Sequence, residues 1–300
     1  MQIGIGGSAA TLTGIVDEAA AAERAGLATY STSNIFAHDA IGALSVAATR
    51  TARIELLTAV VPAFPRHPLS LAQQALTAQA SARGRFTLGI GASHRPVIER
   101  VLGLSYERPA TRMREYLHVL LPLLRGEPVQ FGGDVYRVKG ALAVRDASPV
   151  SCVLAALGPV MLRMAGDLAD GTVLWLTGAR AIGEYVAPRI CRAATTAGRP
   201  APRIICGLPI ALTRRPDDAR VMANATWGVY ARLPAYRLIL DKQRAVTPGD
   251  VVLAGDESTL DGALNELRDA GVTTFLGTPL DAGDGSVDRT WEYLAARAGG

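Results

Sequence analysis

Residues 85–96, RFTLGIGASHRP, carry an apolar run with two alternating glycines into Ser93, His94 and Arg95. A histidine is the side chain best suited to exchange a proton near neutral pH, so His94 is the first candidate for acid–base work. Gly89 and Gly91 fall on one face of a strand and leave room beside that ring, while Ala92 and Ser93 offer small side chains and accessible backbone N–H groups. A flat or bulky ligand would fit such a space. A tight turn beside a surface histidine would also produce the same string.

Other polar residues stand at similar junctions. STSNIF (31–36) places Asn34, a compact donor and acceptor, before Phe36. LLTAVVPAFPRHP (56–68) ends in Arg66 and His67 ahead of Pro68, which reads as entry into a helix. Gly158 and Pro159 open a further helix with its first N–H groups unpaired, an arrangement that favours phosphate. In LWLTGAR (174–180), Thr177 contributes a hydroxyl, Gly178 and Ala179 contribute N–H groups, and Arg180 a charged fork. Two neighbouring junctions prepared for an anion point to a phosphate-bearing ligand. Cys152, Cys191 and Cys206 have neither C-x-x-C spacing nor a nearby histidine cluster, so no metal site or disulfide is expected.

These residues need a scaffold that gathers strand ends. One phrase recurs: a helical pattern, a glycine, then a buried strand, in AERAGLATYS (22–31), SARGRFTLGIG (81–91), GDLADGTVLWL (166–176) and LRDAGVTTFLG (268–277). Such repetition predicts a parallel α/β architecture. Strands are expected near 2–6, 28–33, 54–61, 86–91, 151–156, 172–177, 204–211 and 272–277. Helices are expected near 12–25, 40–51, 68–82, 109–125, 159–168, 180–197, 217–243, 257–270 and 286–298. The count predicts a (β/α)8 TIM barrel filling residues 1–300 as one domain, with a hairpin inserted at about 126–138 and a helical insertion at about 214–258 that Pro234 divides. That insertion is a lid, a subunit contact or a passive elaboration.

Composition narrows the function classes. A hydrophobic content of 49% against 19% charged residues supports a large core and excludes general disorder. The net charge of +4 comes from scattered arginines without a basic stripe or interleaved aromatics, which argues against nucleic acid as a partner. No basic leader precedes an apolar segment and no long uncharged run occurs, so a cytoplasmic protein without membrane contact is expected.

With RHP, RFTLGIG, ALGPVMLRMAGDLADGTVLWLTG and the strand order in hand, the chain resembles the luciferase-like monooxygenase superfamily, most closely its actinobacterial branch using the deazaflavin coenzyme F420. The resemblance implies a flavin-type ring at the C-terminal mouth of the barrel. It places a non-proline cis peptide at Ala59–Val60 behind that ring, ring or ribityl contacts at Ala92 and Ser93, and phosphate against Leu157, Gly158 and Val160, with Thr177, Gly178 and Arg180 closing the pocket. Many relatives that oxidise alcohols carry an acidic residue and a histidine where this chain has Asn34 and Ile35, and the sugar-phosphate dehydrogenase of the family has a glutamate where this chain has His94. The expected activity is therefore reduction: hydride passes from reduced F420 to an activated C=C or C=N bond of a small metabolite, with His94 or water giving the proton and Asn34 beside the reacting atoms. Alternatives are an FMN-dependent monooxygenase fed by a separate reductase, a non-catalytic flavin-binding protein, and a barrel isomerase acting on a phosphorylated metabolite. Arg66, Arg95 and Arg180 near the mouth favour the strongly anionic F420 over FMN. A homodimer is the expected assembly.

Overall fold

The computed structural model describes residues 1–299. Eight parallel strand positions close on themselves: β1 (Gln2–Gly6), β2 (Thr29–Thr32), β3 (Glu55–Thr58) continued by β4 (Val61–Pro62), β5 (Phe86–Gly91), β8 (Ser151–Ala155), β9 (Gly171–Trp175), β10 (Arg203–Leu212) and β12 (Thr274–Pro279). β10 pairs with both β9 and β12, and β12 with β1, which completes the ring. The predicted (β/α)8 barrel is thus the observed fold. Helices α1 (Leu12–Arg24), α2 (Ala40–Ala48), α3 (Pro68–Ser81), α4 (Pro109–Leu124), α5 (Pro159–Leu168), the run α6 (Ala179–Ala181) to α7 (Ala187–Thr196), α10 (Glu257–Asp269) and α11 (Ser286–Ala298) surround it. No helix among the described residues is long and apolar enough to cross a membrane.

Helix ends follow local chemistry. Thr11, Asp39 and Asp256 cap α1, α2 and α10 by accepting the backbone N–H three residues on. Gly26 and Gly84 take left-handed φ values of 79° and 87° just past their helices, as the recurring phrase predicts. Gly171 serves otherwise. It begins β9, and a Cβ there would collide with the backbone of Arg203.

Both insertions are present. β6 (Val129–Gly132) and β7 (Arg137–Gly140) form the hairpin, which starts three and ends two residues later than the sequence pattern suggests. The Glu115 carboxylate holds its turn by accepting the N–H groups of Asp134, Val135 and Tyr136 at 2.8–3.0 Å. A Cβ at Gly133 would run into that carboxylate. The second insertion contains α8 (Pro216–Trp227), a 3-10 turn (228–232) and α9 (Pro234–Lys242), with Pro234 at the first position of α9. The helical pattern over 217–243 is divided at Pro234, as expected, and a short 3-10 turn separates the two helices. The insertion returns through β11 (Leu253–Gly255), which sequence reasoning did not anticipate and which pairs with Ile210–Leu212 of β10.

Side chains fill the barrel in layers. Leu57, Val153, Val173, Ile205 and Leu276 form its apolar middle, with Ala59, Val60 and Ala155 packed against them. At the N-terminal end, Arg203 donates to both oxygens of Glu55 at 2.7 and 2.9 Å, and the Thr29 and Thr87 hydroxyls donate to the same carboxylate. Burial raises the Glu55 pKa, but these donors outweigh it and hold the carboxyl below its ordinary range. A cleft of about 480 Å³ opens at this end beside Arg53, Glu55, Arg85 and Arg203. In barrels of this type that end serves stability, and chemistry belongs where the strands finish.

Candidate functional site

The mouth begins with a break in one strand. Between β3 and β4 the Ala59–Val60 peptide is cis, at the position the resemblance gives it. Thr58, fully buried, spans the interruption: its hydroxyl donates to the Gly89 carbonyl at 2.9 Å and accepts the Gly89 N–H at 2.8 Å. This revises the expectation for the glycine pair. A Cβ at Gly89 would overlap the Thr58 carbonyl oxygen, and one at Gly91 would lie 3.0 Å from Val60 and 3.3 Å from Ala155. The volume those glycines release is taken by the neighbouring strand, not left open for a ligand. What the mouth receives is a low floor of Ala59, Val60, Gly91 and Ala155.

Beyond β5 the chain turns sharply. Ser93 has a left-handed φ of 59°, and its carbonyl accepts the Tyr106 hydroxyl at 3.0 Å. Tyr106 stacks on Phe64 at 5.1 Å, with Arg95 over the Tyr106 ring at 5.5 Å and Arg112 over the Phe64 ring at 5.0 Å. This stack fixes the loop from which His94 projects. The His94 ring is partly buried against Tyr236 at 5.7 Å and Tyr230 at 6.3 Å. Burial lowers its pKa below the ordinary histidine value, so the ring is neutral at pH 7.

Asn34 lies at the same end, and its side-chain oxygen is occupied. Its amide oxygen accepts the Ala40 N–H at 3.0 Å and Arg66 at 3.3 Å, and its backbone N–H donates to the Val60 carbonyl. These bonds tie the loop after β2 to the cis peptide and to α2, so the Asn34 oxygen and backbone N–H act as a brace. His67 is likewise structural: it precedes α3 and accepts the Leu69 N–H. Ile35 and Phe36, 59% and 66% exposed, form the outer rim.

The two proposed anion junctions differ. Gly158 precedes α5 without a side-chain cap, and nothing lies within 4 Å of a Cβ placed there. Leu157 is partly buried, and Val160 is exposed in the first turn. The second junction is filled by the protein. Thr177 is fully buried with its hydroxyl donating to Trp175, and the Gly178 N–H donates to Gln243 at 2.6 Å while the Gln243 amide donates to Leu176. Thr177 and Gly178 are therefore unavailable to an anion as the side chains stand, which corrects their predicted role. Ala179 begins the next helix, and Arg180 pairs with Glu184 at 3.3 Å.

Arg66 pairs with Asp39 at 2.9 Å and Arg95 with Glu99 at 2.6 Å, so every arginine proposed to attract an anionic cofactor has a carboxylate partner. Sequence reasoning missed the aromatic side of the mouth. Trp175, at the end of β9, meets Trp227 of the insertion edge-to-face at 5.4 Å. The clue was the density of rings between 227 and 236 in a chain only 5% aromatic. Among the described residues no cluster of metal-ligating side chains occurs.

An uncharacterised protein of Mycobacterium tuberculosis is 29% identical over 220 residues, which cover 68% of this chain and 65% of that protein. The chain thus spans just under two thirds of that relative. An F420-dependent glucose-6-phosphate dehydrogenase of Beutenbergia cavernae is 32% identical over 259 residues, covering 84% of this chain and 72% of that one. Among solved structures, the coenzyme F420-dependent tetrahydromethanopterin reductase of Methanopyrus kandleri superposes with a TM-score of 0.79 at 22% identity, covering 98% and 97% of the two chains. The FMN-bound oxygenating constituent of 3,6-diketocamphane monooxygenase from Pseudomonas putida gives 0.77 at 17% identity, covering 99% and 97%. At such identities the structural likeness is one of fold. The sequence profile of the luciferase-like monooxygenases matches residues 2–284, and the chain belongs to that family.

Proposed function

We propose that this chain is a coenzyme F420-dependent oxidoreductase, acting as a reductase on an activated C=C or C=N bond of a small metabolite. The observation that carries the reading is the meeting, at one barrel end, of the partly buried His94 ring, the small-residue floor, and the uncapped start of α5. The open Gly158 position fits a phosphate: the backbone N–H groups of the first turn face outward at the positive end of the helix. Leu157, Gly158 and Val160 would hold that phosphate, Ala59 and Val60 would back the ring, and Ala92 and Ser93 would meet its edge. Ala179 and Arg180 stand at the next strand end as further contacts. When bound, the deazaflavin supplies the hydride.

The protein's own part is to position the acceptor, limit water and handle one proton. His94 stands where that proton is needed. Because its ring is neutral at pH 7, it donates through the small protonated fraction or passes a proton from water. The same lowered pKa favours a second reading, in which neutral His94 accepts a proton while the enzyme oxidises an alcohol. The direction of the pH dependence separates the two. As a donor, His94 gives rates that rise as pH falls from 7. As an acceptor, it gives rates that fall.

Cofactor choice rests on the names of the relatives, since the paired arginines contribute little net charge. Equilibrium fluorescence titration with F420 and with FMN at matched salt tests it. Tighter F420 binding with hydride transfer to an acceptor supports the reductase; tighter FMN binding makes the chain a flavin monooxygenase; tight F420 binding without transfer to any acceptor makes it a carrier. A homodimer is proposed as the assembly, with sedimentation velocity as its check.

A further inference from the structure

The insertion touches the mouth in three places, and two of them are aromatic. Trp227 meets Trp175 at the end of β9, and Tyr230 and Tyr236 enclose His94 beyond β5 while meeting each other edge-to-face at 4.7 Å. β8 lies between β5 and β9 in the ring of strands, so the insertion crosses above its end. The third contact is Gln243, which fastens α9 to Leu176 and Gly178. Two of the chain's three tryptophans stand in this one wall. Trp175, Trp227 and Tyr230 are each only partly buried, so ring surface remains uncovered.

We propose that this wall is the acceptor subsite, and that it selects a neutral, planar molecule, aromatic or extensively conjugated, over a phosphorylated or carboxylated one. The inference rests on the reading of the mouth as the reaction site. Aromatic faces reward a flat, weakly hydrated ligand through stacking and edge contacts. Anion recognition needs an uncommitted cation or a cluster of donors. The arginines of the loops after β4, β5 and β9 are already joined to Asp39, Glu99 and Glu184. Nor do the titratable rings supply charge. Burial keeps both tyrosine hydroxyls protonated and the imidazole neutral. Arg232 of the 3-10 turn, the insertion's nearest cation in sequence to Tyr230, is exposed and therefore strongly hydrated.

The test separates the subsite from the cofactor. Calorimetric titration of the protein, alone and with saturating F420, uses 4-phenylbut-3-en-2-one as the neutral conjugated probe and glucose 6-phosphate as the anionic one. The enone is expected to bind and the sugar phosphate to bind at least about tenfold more weakly. Trp227→Leu and Tyr230→Leu keep apolar bulk at sites already partly exposed, and each is expected to weaken the enone by about tenfold or less while F420 affinity changes less than twofold. Stronger binding of glucose 6-phosphate by the wild-type protein, or enone affinity unchanged in both variants, overturns the proposal. If F420 itself does not bind, the cofactor reading fails, while titration of the unliganded protein still judges the wall. Far-ultraviolet circular dichroism confirms that the variants are folded, and Tyr230→Phe, which retains the ring, is expected to restore the enone affinity.

Discussion

The two ends of this barrel solve opposite problems with similar residue types. At the N-terminal end, Glu55 receives four side-chain donors, from Arg203, Thr29 and Thr87, so that nothing on its carboxylate remains to bind a ligand. At the C-terminal end the start of α5 has no side-chain cap, and His94 has rings rather than carboxylates as its close ring neighbours. Saturating polar groups fixes a structure; leaving some unsaturated prepares a site. The clearest test of this contrast is to damage each end and measure both stability and turnover.

The largest effect is expected at the mouth. His94→Ala should lower turnover by about 10²-fold or more if the imidazole moves the proton, with F420 affinity and unfolding free energy nearly unchanged. Stopped-flow oxidation of reduced F420 in the presence of acceptor checks this, and full turnover in the variant removes His94 from the mechanism. Stability carries its own signature. The folded pKa of His94 lies below its unfolded value, so the unfolded state takes up the proton first. The resulting loss of stability is absent well above pH 6.5 and grows as pH falls through that value.

At the closed end the expectation is reversed. Arg203→Leu leaves Glu55 charged inside the barrel without its bidentate partner, and should cost about 2–3 kcal/mol, below the range for a fully buried pair because both side chains retain some exposure. Turnover per folded molecule should stay within about twofold, since no atom of this pair reaches the mouth. In the native protein Glu55 titrates below its ordinary value of 4.5, so its stabilisation is complete above that pH and is lost as pH falls through the lower folded value. The variant inverts this: its Glu55 should titrate above 4.5, and part of the lost stability should return on acidification. Urea unfolding at pH 7 and at successive pH values below 4.5 reads both signs.

How far the sequence exposes each end follows from how local its signals are. The barrel strands, the helix starts at Pro68 and Pro159, the hairpin and the break at Pro234 all come from periodicity or single-residue backbone preferences, and they appear within a few residues of their expected positions. His94 and the open Gly158 turn are legible for the same reason. Thr177, Gly178 and Asn34 are not. Their groups are consumed by Gln243, Trp175, Ala40 and Arg66, partners between two and 65 positions away that the local string does not name. Gly89 misleads in another way. Its missing side chain is visible in the sequence, but the occupant of the resulting space is Thr58 with Val60, delivered by a different strand.

A smaller perturbation asks whether the mouth is open because its loop is held that way. Tyr106 contributes both a ring, stacked on Phe64, and a hydroxyl, bonded to the Ser93 carbonyl. Tyr106→Phe keeps the ring against Phe64 and Arg95 and removes only the bond to Ser93. One neutral hydrogen bond contributes about 1 kcal/mol, so the loss of global stability should be near that size. Ser93 sits at a φ of 59°, a conformation that costs a non-glycine residue energy and persists where its surroundings hold it. Without the phenol the loop can relax toward ordinary backbone angles, moving Ala92, Ser93 and His94 together. F420 affinity should weaken severalfold, while the slope of rate against pH keeps the sign it has in the wild type, because the imidazole remains. A variant that loses stability but binds F420 as before would show that the stack of Arg95, Tyr106, Phe64 and Arg112 supports the fold and leaves the mouth to hold its shape by other contacts.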